Sequence, residues 1–292
     1  MVFNVAGALA VQRLACVTSR QPFTKLQEFA HTTDAATPRE THLPELRTSQ
    51  NYPRAPITEA VIQILVAADV EPRALERISH KLKAEYPNSQ PLQEYKVEIP
   101  NTGGQVSVAQ NPQGFRLANN DQSDVIMLNP RGITAARLAP YLHWKHLRDR
   151  ANTAWQYWKA ATPGHPIARI GVRYINRIDI PLTAGMQLNV EEYLSFVPSV
   201  DAITDQPMLG YLMQVVIPTS DPHWTATITT TALGDTQIPA HASFILDIDV
   251  GRTSNIPFND TLLWPVIDQA QLIKNDIFER CIKEPARKLF RS

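Results

Sequence analysis

Residues 168–180 alternate between two kinds of side chain for too long to fit a helical period, so they read as one long strand. Ile170, Val172, Tyr174, Asn176, Ile178 and Ile180 share one face, and Arg169, Gly171, Arg173, Ile175, Arg177 and Asp179 share the other. A strand of that kind belongs in a sheet with one apolar face buried and one polar face left open or paired. Residues 243–250 show the same parity, with Phe244, Leu246, Ile248 and Val250 inward and Asp247 and Asp249 opposite. Residues 56–66 place Ala60, Ile62, Ile64 and Val66 on one face, with Glu59 and Gln63 beside Val61 and Leu65 on the other.

Helical stripes separate these strands. Glu71-Pro72 opens a helix whose Leu75, Ile78, Leu82 and Tyr86 line up, closed by Pro87-Asn88. A second helix is expected from Pro140 to about Ala161, burying Trp144, Leu147, Ala151, Trp155 and Trp158. A short helix is expected over 190–196, strands over 209–217 and 224–233, and a long helix from Pro265 to about Lys283 that buries Val266, Ile267, Ala270, Ile273, Ile277 and Cys281. Turns are expected at 101–104, 111–114 and 129–132, each combining Asn and Gly.

The resulting order is β-α-β(several)-α twice, the first strands of the two halves beginning about 112 residues apart at Pro56 and Ala168. The expected fold is α+β: an antiparallel sheet with long helices packed on one face. Residues 51–164 and 165–292 form its two successive halves within one compact unit. Residues 1–50, whose last third is rich in Thr, Ser, Pro and mixed charge, are expected to be a flexible tail.

Composition narrows the function classes. With 28 basic and 28 acidic residues the formal charge is zero, so nucleic acid is a possible partner but not a favoured one. Eleven glycines against 23 prolines disfavour glycine-rich phosphate loops. Apolar runs fall short of the ~20 residues that span a bilayer, so no membrane role is expected. Cys16 and Cys281 show no metal or redox spacing and read as free thiols of a reducing, cytoplasmic compartment. Gly-x-Ser-x-Gly, Walker, dinucleotide, His-Glu-x-x-His and paired Cys-x-x-Cys motifs are all missing. No catalytic residue, metal or cofactor is therefore assigned.

The candidate ligand-binding residues are Arg169, Arg173 and Arg177 with Glu59, Asp247 and Asp249. The arginines form a ladder with steps of about 13 Å, suited to an extended anion or to separate ion pairs. Gly171 leaves backbone uncovered between two of them, room for a ligand or a neighbouring strand. In one reading the acids pair with the arginines across strands; in the other the face is a concave receptor whose guanidinium forks grip a carboxylate, phosphate or nucleic-acid backbone. Asn176 reads as a satisfied buried amide. His143 and His146 stand at a helical spacing that can share a metal, with Asp149 one turn on, but Arg148 and Arg150 oppose a cation there.

Ala55-Pro-Ile-Thr-Glu-Ala-Val61, Arg169-Ile-Gly-Val-Arg-Tyr-Ile-Asn-Arg-Ile178, Leu246-Asp-Ile-Asp249 and Asn275-Asp-Ile-Phe278 resemble the signature segments of a sporadically distributed family of uncharacterised bacterial proteins. The match runs in order from about Tyr52 to Phe290. It implies a cytoplasmic prokaryotic protein of α+β fold, with no established activity or catalytic residue to carry over. The element order is also similar to TATA-binding-protein-like and helix-grip architectures, a likeness of fold that assigns no function. The expected function is a binding or interaction module that takes an unknown protein or anionic ligand on the arginine-bearing sheet face. The alternative is a metal-dependent nucleotide or nucleic-acid-processing enzyme using Glu59, Asp247 and Asp249.

Overall fold

The computed structural model describes residues 52–98, 107–183, 188–199, 203, 208–233 and 238–291. The tail expected over 1–50 and the turn expected at 101–104 lie outside them. The described strands are β1 (Ile57–Val66), β2 (Asn88–Glu98), β3 (Ser107–Ala118), β4 (Asp124–Asn129), β5 (Gly132–Leu138), β6 (Ile167–Pro181), β7 (Leu212–Pro218), β8 (Thr225–Leu233) and β9 (His241–Arg252). They form one nine-stranded sheet, ordered β2-β3-β4-β5-β1-β6-β9-β8-β7, in which every pair is antiparallel. The strands before residue 139 thus lie together on one side, those after 166 on the other, and β1 and β6 meet between them.

Four helices complete the described fold: α1 (Pro72–Leu82), α2 (Trp144–Ala161), α3 (Asp260–Cys281) and α4 (Glu284–Arg291). Their buried side chains join those of one sheet face in a single hydrophobic cluster. Ile62 and Ile64 of β1, Ile170 and Val172 of β6 and Ile248 and Val250 of β9 meet Ile78, Trp155, Trp158 and Ile267 there. Each large side chain so buried contributes about 1.5–3 kcal/mol. Trp155 and Trp158 stack at 5.4 Å, which places them in the core. The opposite sheet face carries a smaller apolar cluster, Ala118, Val125 and Ala136, with Val61, Met127 and Leu138 beside it.

Several boundaries differ from the sequence reading, each for a local reason. Helix α2 starts at Trp144 rather than Pro140, because His143 is the cap: its Nδ1 accepts the His146 backbone N–H at 3.1 Å. Helix α3 starts five residues before Pro265, where the Asn259 side chain accepts the Thr261 N–H at 2.9 Å, so the proline lies inside the helix. The helix expected over 190–196 contracts to a 3₁₀ turn, Val190–Glu192. The turn expected at 111–114 is instead part of β3. Gly114, at φ +118°, stands where the β2–β3 register slips between Leu92 and Gln93, so the glycine serves a bulge within the ladder. The turn at 129–132 does join β4 to β5. Gly132 closes it at φ +142°, where a Cβ would lie 2.0 Å from the Ile64 carbonyl oxygen.

Candidate functional site

The central strands bring the sequence-selected residues onto one face. Arg173 lies opposite Asp249 and Ile175 opposite Asp247 in the β6–β9 register, while Val61 and Glu59 of β1 flank Arg173 and Ile175 on the other side. The ion pairs run diagonally. Arg169 Nη2 donates to both Asp249 oxygens at 3.0 and 2.8 Å, and its Nη1 donates to Gln63 Oε1 at 2.6 Å. Arg173 Nε and Nη2 grip Asp247 at 2.8 and 2.5 Å, a bidentate fork. Arg177 turns to its own strand, donating to Asp179 Oδ1 at 2.9 Å, and reaches Ser243 Oγ at 3.2 Å. The space over Gly171 and its partner Gly251 is taken by the Arg169 guanidinium itself: a Cβ on Gly171 would meet Nη1 at 2.4 Å.

Burial and charge compete at the acids of this face. Burial pushes the Asp247 carboxyl above the ordinary carboxylate range, and the bonds and charge of Arg173 pull it back. Glu59 is also buried and pushed up, with Arg173 opposing the shift. Among the described residues no group of three or more His, Cys, Asp or Glu side chains is placed to hold a metal ion. Helix α2 distributes its own polar groups: His146 Nε2 lies 2.9 Å from both Asp124 oxygens, and Lys145 holds Asp149 at 2.6 Å.

A second constellation lies on the other side of the sheet. A cavity of about 630 Å³ opens between the segment before β1, the β5–α2 connection, β6 and the C-terminal part of α3. From β6 it receives Tyr174 and Asn176, two residues of the strand's inward face. Asn176 donates to the Leu246 carbonyl at 2.9 Å, the buried amide expected. Tyr174 and Tyr141 share a hydroxyl hydrogen bond of 2.9 Å, and burial raises both phenols.

Helix α3 supplies Lys274 and Glu279 to this cavity, and the segment before β1 supplies Arg54. Every residue from Ile273 to Glu279 is buried, Lys274, Asn275, Asp276 and Glu279 among them. Glu279 is satisfied: Tyr52 Oη donates to it at 2.9 Å and Arg287 Nε at 3.1 Å. Tyr52 is pushed up to about 12 by burial and by that carboxylate. Asp276 accepts from Arg280 Nε at 2.8 Å. Lys274 is different. It is 5% exposed and its Nζ stands 3.6 Å from the centroid of the Tyr174 ring, yet it has no hydrogen bond or ion pair to a described residue. Burial pushes this amine down to about 7, with only the more distant Glu279 charge opposing.

The sequence reading of α3 stopped at its apolar stripe and passed over Lys274 and Glu279. One signal was available, since Tyr174 and Asn176 put polar atoms on the inward face of β6 and so require polar company across the interface. No protein-family model matches the chain, and no curated protein matches it.

Proposed function

We propose that the protein is a cytoplasmic small-molecule binding module whose receptor is the cavity between β6 and α3. The observation that carries this reading is Lys274, a cation 5% exposed on a cavity wall with no polar partner among the described residues. A buried ammonium without a partner costs several kcal/mol, and such costs concentrate at functional sites. The cavity's ≈ 630 Å³ also falls in the range of small-ligand pockets.

The arginine-bearing sheet face supports binding less well. An anion arriving there has to displace Asp249 from Arg169 and Asp247 from Arg173, whereas the cavity asks for no such exchange. The metal-dependent alternative loses support for a related reason: the carboxylates of Asp247 and Asp249 are committed to guanidinium groups.

The test is equilibrium dialysis of the full chain against a metabolite extract, beside Gln271→Trp, which fills the cavity from a half-buried position on α3. The reading predicts a compound retained by the parent chain and lost in the variant. Equal retention by both, or none by either, contradicts it.

A further inference from the structure

We infer that the ligand is an organic monocarboxylate, its carboxylate seated on the Lys274 ammonium and its hydrocarbon body against the apolar side chains of a mixed cavity wall. This rests on the cavity being a binding site and adds the chemistry of what enters it. The charge balance gives the sign. Glu279 is engaged by Tyr52 and Arg287, and Asp276 by Arg280, so neither of the acids that follow Lys274 on α3 is available to it. An anion from outside supplies the missing partner, and desolvation inside the cavity strengthens that pair beyond its worth in water.

The number of charges follows from the same groups. Two cations line the cavity, Lys274 and Arg54; Arg54 is already engaged, so Lys274 is left to balance one negative charge. The body of the ligand meets Ile57, Leu142, Trp144 and Phe278, with Tyr52 edge-on to Phe278 at 6.4 Å. Those surfaces fit an aromatic ring or a medium aliphatic chain, with Asn176, Gln271 and Asn275 supplying polar groups on the same wall.

The same arrangement couples binding to a proton. In the empty cavity burial favours the neutral amine, and a carboxylate favours the ammonium, so at alkaline pH the ligand enters with a proton taken up by Lys274. Lining the cavity with the amine are Tyr174 from β6, Tyr141 and His143 from the β5–α2 connection, Tyr52 and Arg54 from the segment before β1, and Glu279 from its own helix, with Arg287 of α4 bonded to Glu279. The three tyrosines are all raised and stay protonated through mildly alkaline pH.

Calorimetry on the full chain tests this with benzoate, 3-phenylpropionate and octanoate, each beside its primary amide, at pH 6 and pH 9. The expected result is at least one carboxylate bound about tenfold or more tighter than its amide at pH 6. Its affinity falls at least tenfold by pH 9, with that fall preserved in His143→Asn, and its advantage over the amide disappears in Lys274→Met. Amides that bind as tightly as the carboxylates overturn the assignment while leaving the cavity a receptor. Absence of binding by both sets, beside a compound retained in the dialysis experiment, overturns the ligand class alone. Absence of both overturns the class and the receptor together.

Discussion

Replacing Lys274 by Met removes the buried amine while keeping an unbranched side chain of similar length in the cavity wall. In the folded chain burial holds this amine at about 7, against 10.5 in the unfolded chain. Between those values the unfolded chain binds more protons than the folded one, so Lys274 makes stability rise with pH. The slope is about 1.4 kcal/mol per pH unit. Below pH 7 the amine is charged in both states and its full penalty is present. The face of the Tyr174 ring favours the ammonium by ~1–2 kcal/mol, which moves the onset of the rise upward by about one pH unit. From pH 7 to pH 9 the parent chain should therefore gain about 1.5–3 kcal/mol relative to Lys274→Met. Urea unfolding of both proteins at pH 7, 8 and 9 measures this, since titrations common to the two chains cancel in the difference. The substitution should be stabilising at pH 7, with its benefit shrinking as pH rises. Parallel stability–pH curves would refute the premise that Lys274 is buried without a partner.

Two further substitutions probe the fold around the site. Arg173→Ala strips Asp247 of its fork and Glu59 of its main opposing charge, leaving two buried carboxylates; the expected loss is about 3–5 kcal/mol at pH 7. Both carboxyls are raised in the folded chain and lose the Arg173 charge that opposes the rise, so the folded variant holds their protons more tightly still and the loss measured by denaturation should shrink as pH falls into the acid range. Gly132→Ala drives a Cβ into the Ile64 carbonyl oxygen at a φ that L residues rarely adopt. It should cost about 2–4 kcal/mol by the same measurement, and a neutral result would contradict the tight β4–β5 turn.

The sheet was legible because its signal has period two and needs no partner to be seen. Ile170 to Ile180 on β6 and Phe244 to Val250 on β9 are buried where their parity puts them. What parity cannot give is which acid an arginine takes. Arg173 lies directly opposite Asp249 yet bonds Asp247, and Arg169 crosses to Asp249 instead. Long side chains on a twisted sheet reach diagonal neighbours as readily as direct ones.

The cavity was illegible for a different reason. Glu279 sits off the apolar stripe of α3 and reads as solvent-facing on an isolated helix, whereas Lys274 stands on the stripe, four residues after Ala270 and three before Ile277, and reads as a polar interruption of it. Glu279 is buried where Tyr52 and Arg287 of α4 bond to it, and Lys274 lies over the Tyr174 ring of β6, contacts made with residues outside the helix. The helix start at Trp144 was missed on a smaller scale, because histidine is an uncommon cap whereas a proline followed by an amphipathic stripe is a familiar opening.

The central claim is that Lys274 is a buried cation awaiting an anion, and the titration of its own side-chain nitrogen tests this most directly. Lysine-labelled full chain, with Lys274→Met identifying the resonance, should show Lys274 titrating near pH 7–8 when empty. The midpoint should move upward by at least one pH unit when a carboxylate from the calorimetric set is bound. A midpoint near the ordinary lysine value of ~10.4, unmoved by any carboxylate, would contradict the account.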